Sequence, residues 1–435
     1  MWYNYIKKLM GDYMILIKNG RVIDPETKFD EIADVAIKDD IIFKIEKNIS
    51  DECYDKIIDA EGCIVAPGLI DVHVHFRDPG FTYKEDIKTG SNAAVRGGFT
   101  TVVCMANTKP VVDNEETLKY IIEEIKKSKL NILQAASITK GLKGQEIVDM
   151  EHLKSLGAVG FTDDGIPLMN SKLLMEAMKK AKELNVPLSL HEEDPSLIIN
   201  PGINHGKVSE KLGIEGALKE AEETMVARDL MLAISTGAKI NIQHVSSGNT
   251  VDLIRFAKMK GAALTAEVSP HHFSLTEDSV LIHNSNAKMN PPLRTEEDRL
   301  KLIEGIKDDI IEIIATDHAP HSLEEKSSDI TKAPSGIIGL ETSLSLGITN
   351  LVRKNHVNIM KLIEKMTINP AKLYNLKSGR IREGLTADIV IFNPSEKWIV
   401  EAFASKSSNS PFIGQELYGK VKYTICSGTV IYQDL

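Results

Sequence analysis

The middle of the chain alternates short apolar runs with longer stretches in which apolar residues recur at helical spacing. Eight runs have the length and apolar composition of buried strands. They cover residues 64–72, 100–105, 132–137, 158–162, 186–190, 239–244, 263–268 and 312–316. Helical patterns lie between several of them, at residues 115–129, 171–184, 217–235 and 250–260. This alternation indicates a parallel sheet with crossover helices, and eight is the strand number of a (β/α)8 TIM barrel. We therefore predict an α/β protein with a barrel over residues 64–378.

The two ends of the chain have a different pattern. Residues 14–63 and 379–435 contain short β-type runs separated by turn signals such as Asn19-Gly20 and Asp24-Pro25. We predict that both ends together form one small β-sandwich domain, with the barrel inserted between them. Residues 1–13 precede the first convincing strand and are expected to be an N-terminal extension.

Composition narrows the function classes. The net charge of -10 and the absence of a basic tract argue against nucleic acid or an anionic membrane as the main partner, and favour a small molecule. Four scattered cysteines without close pairs suggest a reducing compartment, and we expect a cytoplasmic protein. No apolar run approaches the roughly 20 residues that span a bilayer.

The first predicted barrel strand leads into His73-Val74-His75. Successive side chains of a strand point to opposite faces, so the two imidazoles share one face and can reach one ion. Neutral imidazole is a common zinc ligand. An isolated His-x-His pair is as readily two ordinary histidines, so further ligands must come from elsewhere in the chain.

Further polar groups follow other predicted strands, where TIM barrels carry their functional residues. The groups are Asp163 and Asp164 after strand four, His191 after strand five, His244 after strand six and Asp317 after strand eight. Each alone has an ordinary interpretation as a turn or capped loop residue. Four of the 12 histidines at strand ends, accompanied by carboxylates, predict a metal centre instead.

This pattern resembles the amidohydrolase superfamily. The resemblance implies that His73, His75 and Asp317 hold one metal ion and that His191 and His244 hold a second. A group after strand four bridges the two, and in many relatives it is a carboxylated lysine. Residues 157–165 contain no lysine. Asp164 is the expected bridge, with Asp163 as the alternative.

Several motifs are similar to cyclic amidohydrolases of the dihydroorotase type. They are residues 73–80 (HVHFRDPG), 105–108 (MANT), 161–165 (FTDDG), 288–294 (KMNPPLR) and 316–321 (TDHAPH). The resemblance implies zinc-dependent, reversible hydrolysis of dihydroorotate to N-carbamoyl-aspartate in pyrimidine biosynthesis, through a hydroxide bridging two Zn2+ ions. Asp317 would be the catalytic acid and base. Arg77, with Asn107 and His321, would bind the substrate carboxylate, and Asn290 the ring amide.

Two alternatives stay open. A hydantoinase, dihydropyrimidinase or allantoinase acts on rings without the carboxylate, so Arg77 with Asn107 and His321 is the discriminating feature. A catalytically inactive scaffold homologue is the third interpretation, although such chains usually lose ligands and all six candidate positions here are competent. A homo-oligomer and an association with aspartate carbamoyltransferase are family-level expectations for which the sequence displays no interface.

Overall fold

The computed structural model describes residues 13–434, so residues 1–12 of the expected extension lie outside the described residues. Sixteen strands occur in the described part of the chain. In order, β1–β16 are Met14–Asp24, Phe29–Lys38, Ile41–Glu46, Lys56–Asp59, Ile64–Pro67, Leu69–Val74, Phe99–Cys104, Asn131–Ala136, Ala158–Thr162, Leu188–Leu190, Ile240–Ile242, Leu264–Val268, Ile313–Ile314, Ile389–Ile399, Glu416–Cys426 and Thr429–Gln433.

Helices connect the barrel strands and follow the last of them. In order, α1–α14 are Ile87–Arg96, Glu115–Ile125, Met150–Ser155, Ser171–Leu184, Lys207–Leu212, Glu220–Thr236, Gly248–Met259, Pro270–Ser274, Ser279–His283, Glu296–Lys307, Leu323–Lys326, Ser343–Gly347, Ile359–Met366 and Ile368–Leu373. Short 3-10 turns lie at Lys140–Leu142, Pro195–Leu197 and Asn284–Ala287, and a π-helical turn lies at Ile348–Val352.

Strands β6 to β13 form one parallel sheet in sequence order, which confirms the predicted eight-stranded (β/α)8 barrel. The first and last strands meet just beyond β13, where Val74 forms a parallel bridge with His318. There the His75 amide donates to the His318 carbonyl over 2.9 Å. The seam thus brings the residues after strand one beside those after strand eight.

The two ends of the chain share a second sheet, as predicted. Its strands run in the order β16-β15-β14-β5-β1-β2-β3, with β4 also paired to β1. Apolar side chains from both ends pack in one core, for example Ile15, Val35, Ile389 and Ile425, all buried. This shared core explains why strands hundreds of residues apart form one unit.

The predicted first barrel strand, residues 64–72, is in fact two strands. Ile64–Pro67 pairs with β1 and β14 in the terminal sheet, and the barrel begins at Leu69. Gly68 lies between them, and its amide donates to the Asp388 carbonyl over 2.8 Å. A Cβ on Gly68 would lie 2.2 Å from Thr100 Oγ1, so only glycine lets the chain pass at this point.

Candidate metal centre and comparison with known proteins

The six predicted metal ligands lie at the carboxyl ends of five barrel strands. His73 belongs to β6 and His75 follows it directly. The other four come within three residues of a strand end: Asp164 after β9, His191 after β10, His244 after β11 and Asp317 after β13. All six are buried. The parallel arrangement of the strands therefore collects, at one mouth of the barrel, side chains that are far apart in the sequence.

Asp164 lies at the middle of this cluster. Its Oδ1 is 3.2 Å from His73 Nε2 and 3.8 Å from both His191 Nδ1 and His244 Nε2, and its Oδ2 is 3.4 Å from His75 Nε2. One carboxylate oxygen therefore faces three imidazoles and the other faces the fourth. The carboxylate can contact two ions at once, which is the geometry expected of a bridging group.

Asp317 completes the side of the cluster at the barrel seam. Its Oδ1 lies 3.1 Å from His75 Nε2 and 3.5 Å from His73 Nε2. Ligand atoms of His73, His75 and Asp317 lie within 4.8 Å of one another, as do those of His73, Asp164 and His244. These two overlapping groups define two adjacent positions at which a metal ion could be held.

The neighbouring Asp163 is used differently. Its Oδ1 accepts from the amides of Ile138 and Thr139 over 2.7 and 3.0 Å, and its Oδ2 accepts from the Thr139 hydroxyl. Burial raises the pKa of this carboxyl to about 6. Asp163 thus fixes the loop after strand three, and the geometry favours Asp164 as the bridging residue.

Charge in the cluster is divided between acids and imidazoles. Burial opposes ionisation of Asp164 and Asp317, but the adjacent imidazoles outweigh it and lower the pKa of both carboxyls. Burial likewise opposes protonation of His73, but Asp164 and Asp317 raise its pKa well above the usual value. Two buried, ionised carboxylates require positive charge beside them, and a bound metal cation would meet that requirement.

Three of the imidazoles have a polar partner at the ring nitrogen that faces away from the cluster. Glu267 Oε2 lies 3.1 Å from His73 Nδ1, Asn107 Oδ1 lies 2.9 Å from His75 Nδ1, and Glu193 Oε2 lies 3.1 Å from His191 Nε2. Such partners leave the opposite nitrogen free for a metal. Sequence reasoning missed Glu193 and Glu267. In the sequence, the only signal for Glu267 is its charge near the end of an apolar strand. The only signal for Glu193 is its position two residues after the ligand His191.

His271 and His272 lie in the short helix α8 and are both buried. Burial lowers the pKa of His271 to about 4, so its ring is neutral near pH 7. Neither belongs to the two ligand groups of the described residues.

The predicted substrate-binding residues lie around the cluster of metal ligands, but they do not all contact one another. Arg77 Nη2 is 3.5 Å from His321 Nε2, which places these two side by side. His321 Nε2 also lies 2.9 Å from the Ser335 carbonyl, and burial lowers its pKa to about 2, so the ring is neutral. Asn107 contacts His75 and Asp164 instead of Arg77.

The side chain of Asn290 is half-buried, and its Oδ1 has no hydrogen-bond partner among residues 13–434. It lies near Gly202, where a Cβ would approach Asn290 Oδ1 to 3.0 Å and Ser335 Oγ to 2.4 Å. Ser335 links this region to His321. An acceptor that is buried and unused in a native structure is available for a ligand.

Three residues of the site have a strained backbone. Arg77, His244 and Asp317 have φ values of 60°, 32° and 49°, in the left-handed region that non-glycine residues rarely adopt. Such conformations cost of order 1–3 kcal/mol each and cluster at functional sites. The surrounding fold holds these three side chains in orientations that the local sequence does not favour.

Comparison with known proteins identifies the family of the chain. The model of the amidohydrolase family matches residues 64–431. The L-hydantoinase (dihydropyrimidinase) from Arthrobacter aurescens has a similar structure, with a TM-score of 0.85 at 26% identity over 96% of each chain. The chain therefore belongs to the amidohydrolase family.

Curated relatives define the group within the family. A dihydroorotase from Clostridioides difficile (strain 630) is 66% identical over 96% of this chain and 100% of its own length. One from Clostridium acetobutylicum is 57% identical over 97% and 100%. One from Streptococcus pneumoniae serotype 4 is 53% identical over the same shares. The chain is thus a member of the dihydroorotases and a hydrolase of cyclic amides. Between residues 13 and 434, no helix is long and apolar enough to cross a membrane.

Proposed function

We propose that this chain catalyses the reversible hydrolysis of the cyclic amide of (S)-dihydroorotate to N-carbamoyl-L-aspartate, a step of UMP biosynthesis. The observation that carries the proposal is the cluster of four imidazoles and two carboxylates with Arg77 beside it. A cluster of this composition suits a metal-assisted attack by water, and a fixed guanidinium suits a ring that bears a carboxylate.

Two Zn2+ ions fit the residues present. His73 Nε2 is buried and lacks a hydrogen-bond partner in the described part of the chain, although it points toward Asp164 and Asp317. The donors are imidazole nitrogens and carboxylate oxygens, which suit zinc. In this proposal His73, His75 and Asp317 would hold one ion, His191 and His244 would hold the other, and Asp164 would serve both. The bound ions would supply Lewis acidity, polarising the ring carbonyl and lowering the pKa of water.

Asp317 moves the proton in this scheme. The neighbouring imidazoles lower its pKa, so the carboxylate is ionised and can accept the proton of the attacking water at an oxygen. It then delivers that proton to the ring nitrogen as the amide bond breaks, and the same transfers run backwards in ring closure. Proton transfer of this kind typically contributes 10²- to 10⁴-fold in rate.

The remaining residues orient the ring. Arg77 would bind the substrate carboxylate through its planar guanidinium, and the neutral His321 ring beside it would add a hydrogen bond. Asn290 Oδ1, buried and without a partner among the described residues, would accept from a ring N–H. Asn107 would also contact the substrate, while its Oδ1 keeps the contact with His75 Nδ1.

The competing activity is that of a hydantoinase or dihydropyrimidinase, which the structural likeness to the Arthrobacter enzyme favours. Initial rates with dihydroorotate, hydantoin and allantoin separate the two. We expect a clear preference for dihydroorotate. Faster turnover of either ring without a carboxylate would replace our proposal by the competing one.

Substitution of Arg77 tests whether this residue causes the preference for dihydroorotate. Arg77→Lys keeps the charge but loses the planar donor pair, and a hydrogen bond to a charged group is worth about 1.5–3 kcal/mol. We expect kcat/KM for dihydroorotate to fall roughly 10- to 150-fold. Arg96→Lys is the matched control, because Arg96 pairs with Glu341 away from the metal cluster. An Arg77→Lys enzyme with the control's activity would remove Arg77 from substrate binding.

Metal analysis tests the scaffold alternative. Purified protein should contain about two zinc ions per chain. A chelator should remove both the metal and the activity, and added zinc should restore them. Protein that binds no stoichiometric metal would contradict the proposed mechanism.

Four further expectations are part of the proposal. We propose a small domain of residues 14–63 with 379–435 and a barrel of residues 64–378, although strand β5 at residues 64–67 pairs with the small domain. We also propose a cytoplasmic location, a homo-oligomeric state and association with aspartate carbamoyltransferase. Light scattering of the purified chain, alone and mixed with aspartate carbamoyltransferase, measures the last two directly. A monomer that leaves the transferase peak unchanged would exclude both.

A further inference from the structure

A carboxylate crosses the barrel interior to reach the first metal ligand. Glu267 is the fourth residue of β12 and is 1% exposed. Its Oε2 lies 3.1 Å from His73 Nδ1. Strand β13 separates β12 from the seam with β6, so the contact passes through the inside of the barrel and not along neighbouring strands.

The contact determines which nitrogen of His73 keeps its proton when a metal ion takes the place of the other proton and the ring becomes neutral. A neutral imidazole has one N–H and one free lone pair, and an ionised carboxylate can only accept. Glu267 therefore favours the proton on Nδ1. The lone pair is left on Nε2, which faces Asp164 and Asp317. Gln243 Nε2 also lies 3.2 Å from Nδ1, but its amide N–H cannot donate to a nitrogen that is itself protonated.

Glu267 is itself held in place. Its Oε1 accepts from the side-chain amide of Asn241, whose own oxygen accepts from Thr265 Oγ1 over 2.9 Å. Asn241 Nδ2 also lies 3.3 Å from Ser189 Oγ, which is 3.3 Å from the Tyr374 hydroxyl. A chain of polar side chains thus runs from the floor of the barrel to His73. A buried carboxylate with both oxygens engaged has little freedom to turn away.

We propose that Glu267 is a positioning residue for the metal centre, which fixes the His73 ring in the tautomer that presents Nε2 to the ion. The inference rests on the proposed metal-dependent function. The three supported imidazoles differ in their partners. His75 has the neutral amide of Asn107, whereas His73 and His191 each have a carboxylate. A carboxylate can only accept and so enforces one tautomer. An amide can rotate by 180° and present either its oxygen or its NH2 group, so it pairs with either tautomer.

The first test is Glu267→Gln with metal retention as the readout. The amide can turn its NH2 toward Nδ1 and place the proton on Nε2, where it blocks the ion. We expect zinc affinity, measured by competition with a chromophoric chelator, to fall about 10- to 100-fold. KM for dihydroorotate at saturating zinc should stay within about twofold, because Glu267 does not face the substrate residues. Glu267→Asp, which keeps the carboxylate, should recover part of the affinity.

The matched control is Glu312→Gln. Glu312 is a partly buried acid directly before β13, and it pairs with Lys258 at the opposite end of the barrel strands. It should retain wild-type zinc affinity. A Glu267→Gln protein that holds zinc as tightly as this control would overturn the inference. A wild-type protein that binds zinc but leaves dihydroorotate unchanged would contradict only the proposed substrate.

A second measurement uses the unsubstituted chain and does not depend on the folding of a variant. Selective ¹⁵N-histidine labelling reports the tautomer of each ring, and the His73 signals can be identified by their loss in His73→Asn. We expect a protonated Nδ1 and a metal-bound Nε2 in the zinc-loaded protein. A protonated Nε2 at His73, or a metal on Nδ1, would overturn the assignment of Glu267.

Discussion

Asp163 and Asp164 are adjacent in sequence but perform separate tasks in the structure, and substitution of each tests that separation. Asp163 accepts three hydrogen bonds, from the amides of Ile138 and Thr139 and from the Thr139 hydroxyl. Asp163→Ala leaves all three donors buried. At about 1 kcal/mol each, the lower end for an unsatisfied buried group, the free energy of unfolding should fall by about 3 kcal/mol.

Asp163→Asn should cost less. The Asn side-chain oxygen can still accept from both amides, and the Thr139 hydroxyl can rotate to accept from the new NH2. Burial already raises the pKa of the native carboxyl to about 6, so loss of the charge itself is not costly. We expect the free energy of unfolding to change by no more than about 1 kcal/mol in Asp163→Asn and to fall by about 3 kcal/mol in Asp163→Ala. Asp164→Asn should remove the bridging charge and with it most of the bound zinc.

The assay combines urea denaturation with metal analysis. Unfolding is followed by circular dichroism in the presence of a chelator, so that metal loss does not contribute to the measured stability. Zinc per chain is measured on folded protein after gel filtration. Both Asp163 variants should retain zinc, and Asp164→Asn should not. An Asp163→Asn protein of normal stability that has lost its zinc would refute the assignment of the bridge to Asp164.

Three further predictions concern the proton, the pH dependence and the backbone. Asp317→Asn should lower kcat by about 10²- to 10⁴-fold in zinc-loaded protein, and near-normal turnover would exclude Asp317 from proton transfer. Burial raises the pKa of Glu341 to about 7, from 4.5. The folded state therefore binds this proton more tightly, and wild-type stability falls by up to about 3 kcal/mol as pH rises from 4.5 through 7. Glu341→Gln should flatten this slope in urea melts at pH 5 and 8, and an unchanged slope would contradict the burial argument. Gly80 has φ of 97°, and a Cβ there would lie 2.1 Å from the Lys109 carbonyl. Gly80→Ala should lower the free energy of unfolding by more than about 1 kcal/mol, seen as a lower thermal midpoint, and an unshifted midpoint would show that the loop relaxes freely.

Barrel strands and strand-end residues could be predicted because their signals are local. Each strand is an apolar run, and the following polar residue lies at the carboxyl end whatever the packing of the helices. His191 and His244 were therefore identifiable without any knowledge of distance. The composite sheet was predictable for the same reason, because the β pattern changes to an α/β pattern near residue 64 and returns near residue 379.

Features that depend on contacts between distant segments could not be predicted in this way. The break at Gly68 depends on Thr100, and the partner of His73 is Glu267, which is 194 positions away. The choice between Asp163 and Asp164 depends on the backbone amides of a different loop. In each case, hydrophobic periodicity is the same for both outcomes, and only the folded geometry distinguishes them.

The pairing of β5 has a consequence for biosynthesis. Strand β5 is bordered by β1 on one side and by β14 on the other, and β14 begins only at Ile389. While the ribosome is still translating the barrel, one edge of β5 has no partner, and the nascent chain exposes an apolar strand edge of the kind that promotes aggregation. Strand β14 therefore covers an edge made more than 300 residues earlier. Removal of β14 and the residues after it should therefore lower the yield of soluble protein, although none of these residues belongs to the metal cluster.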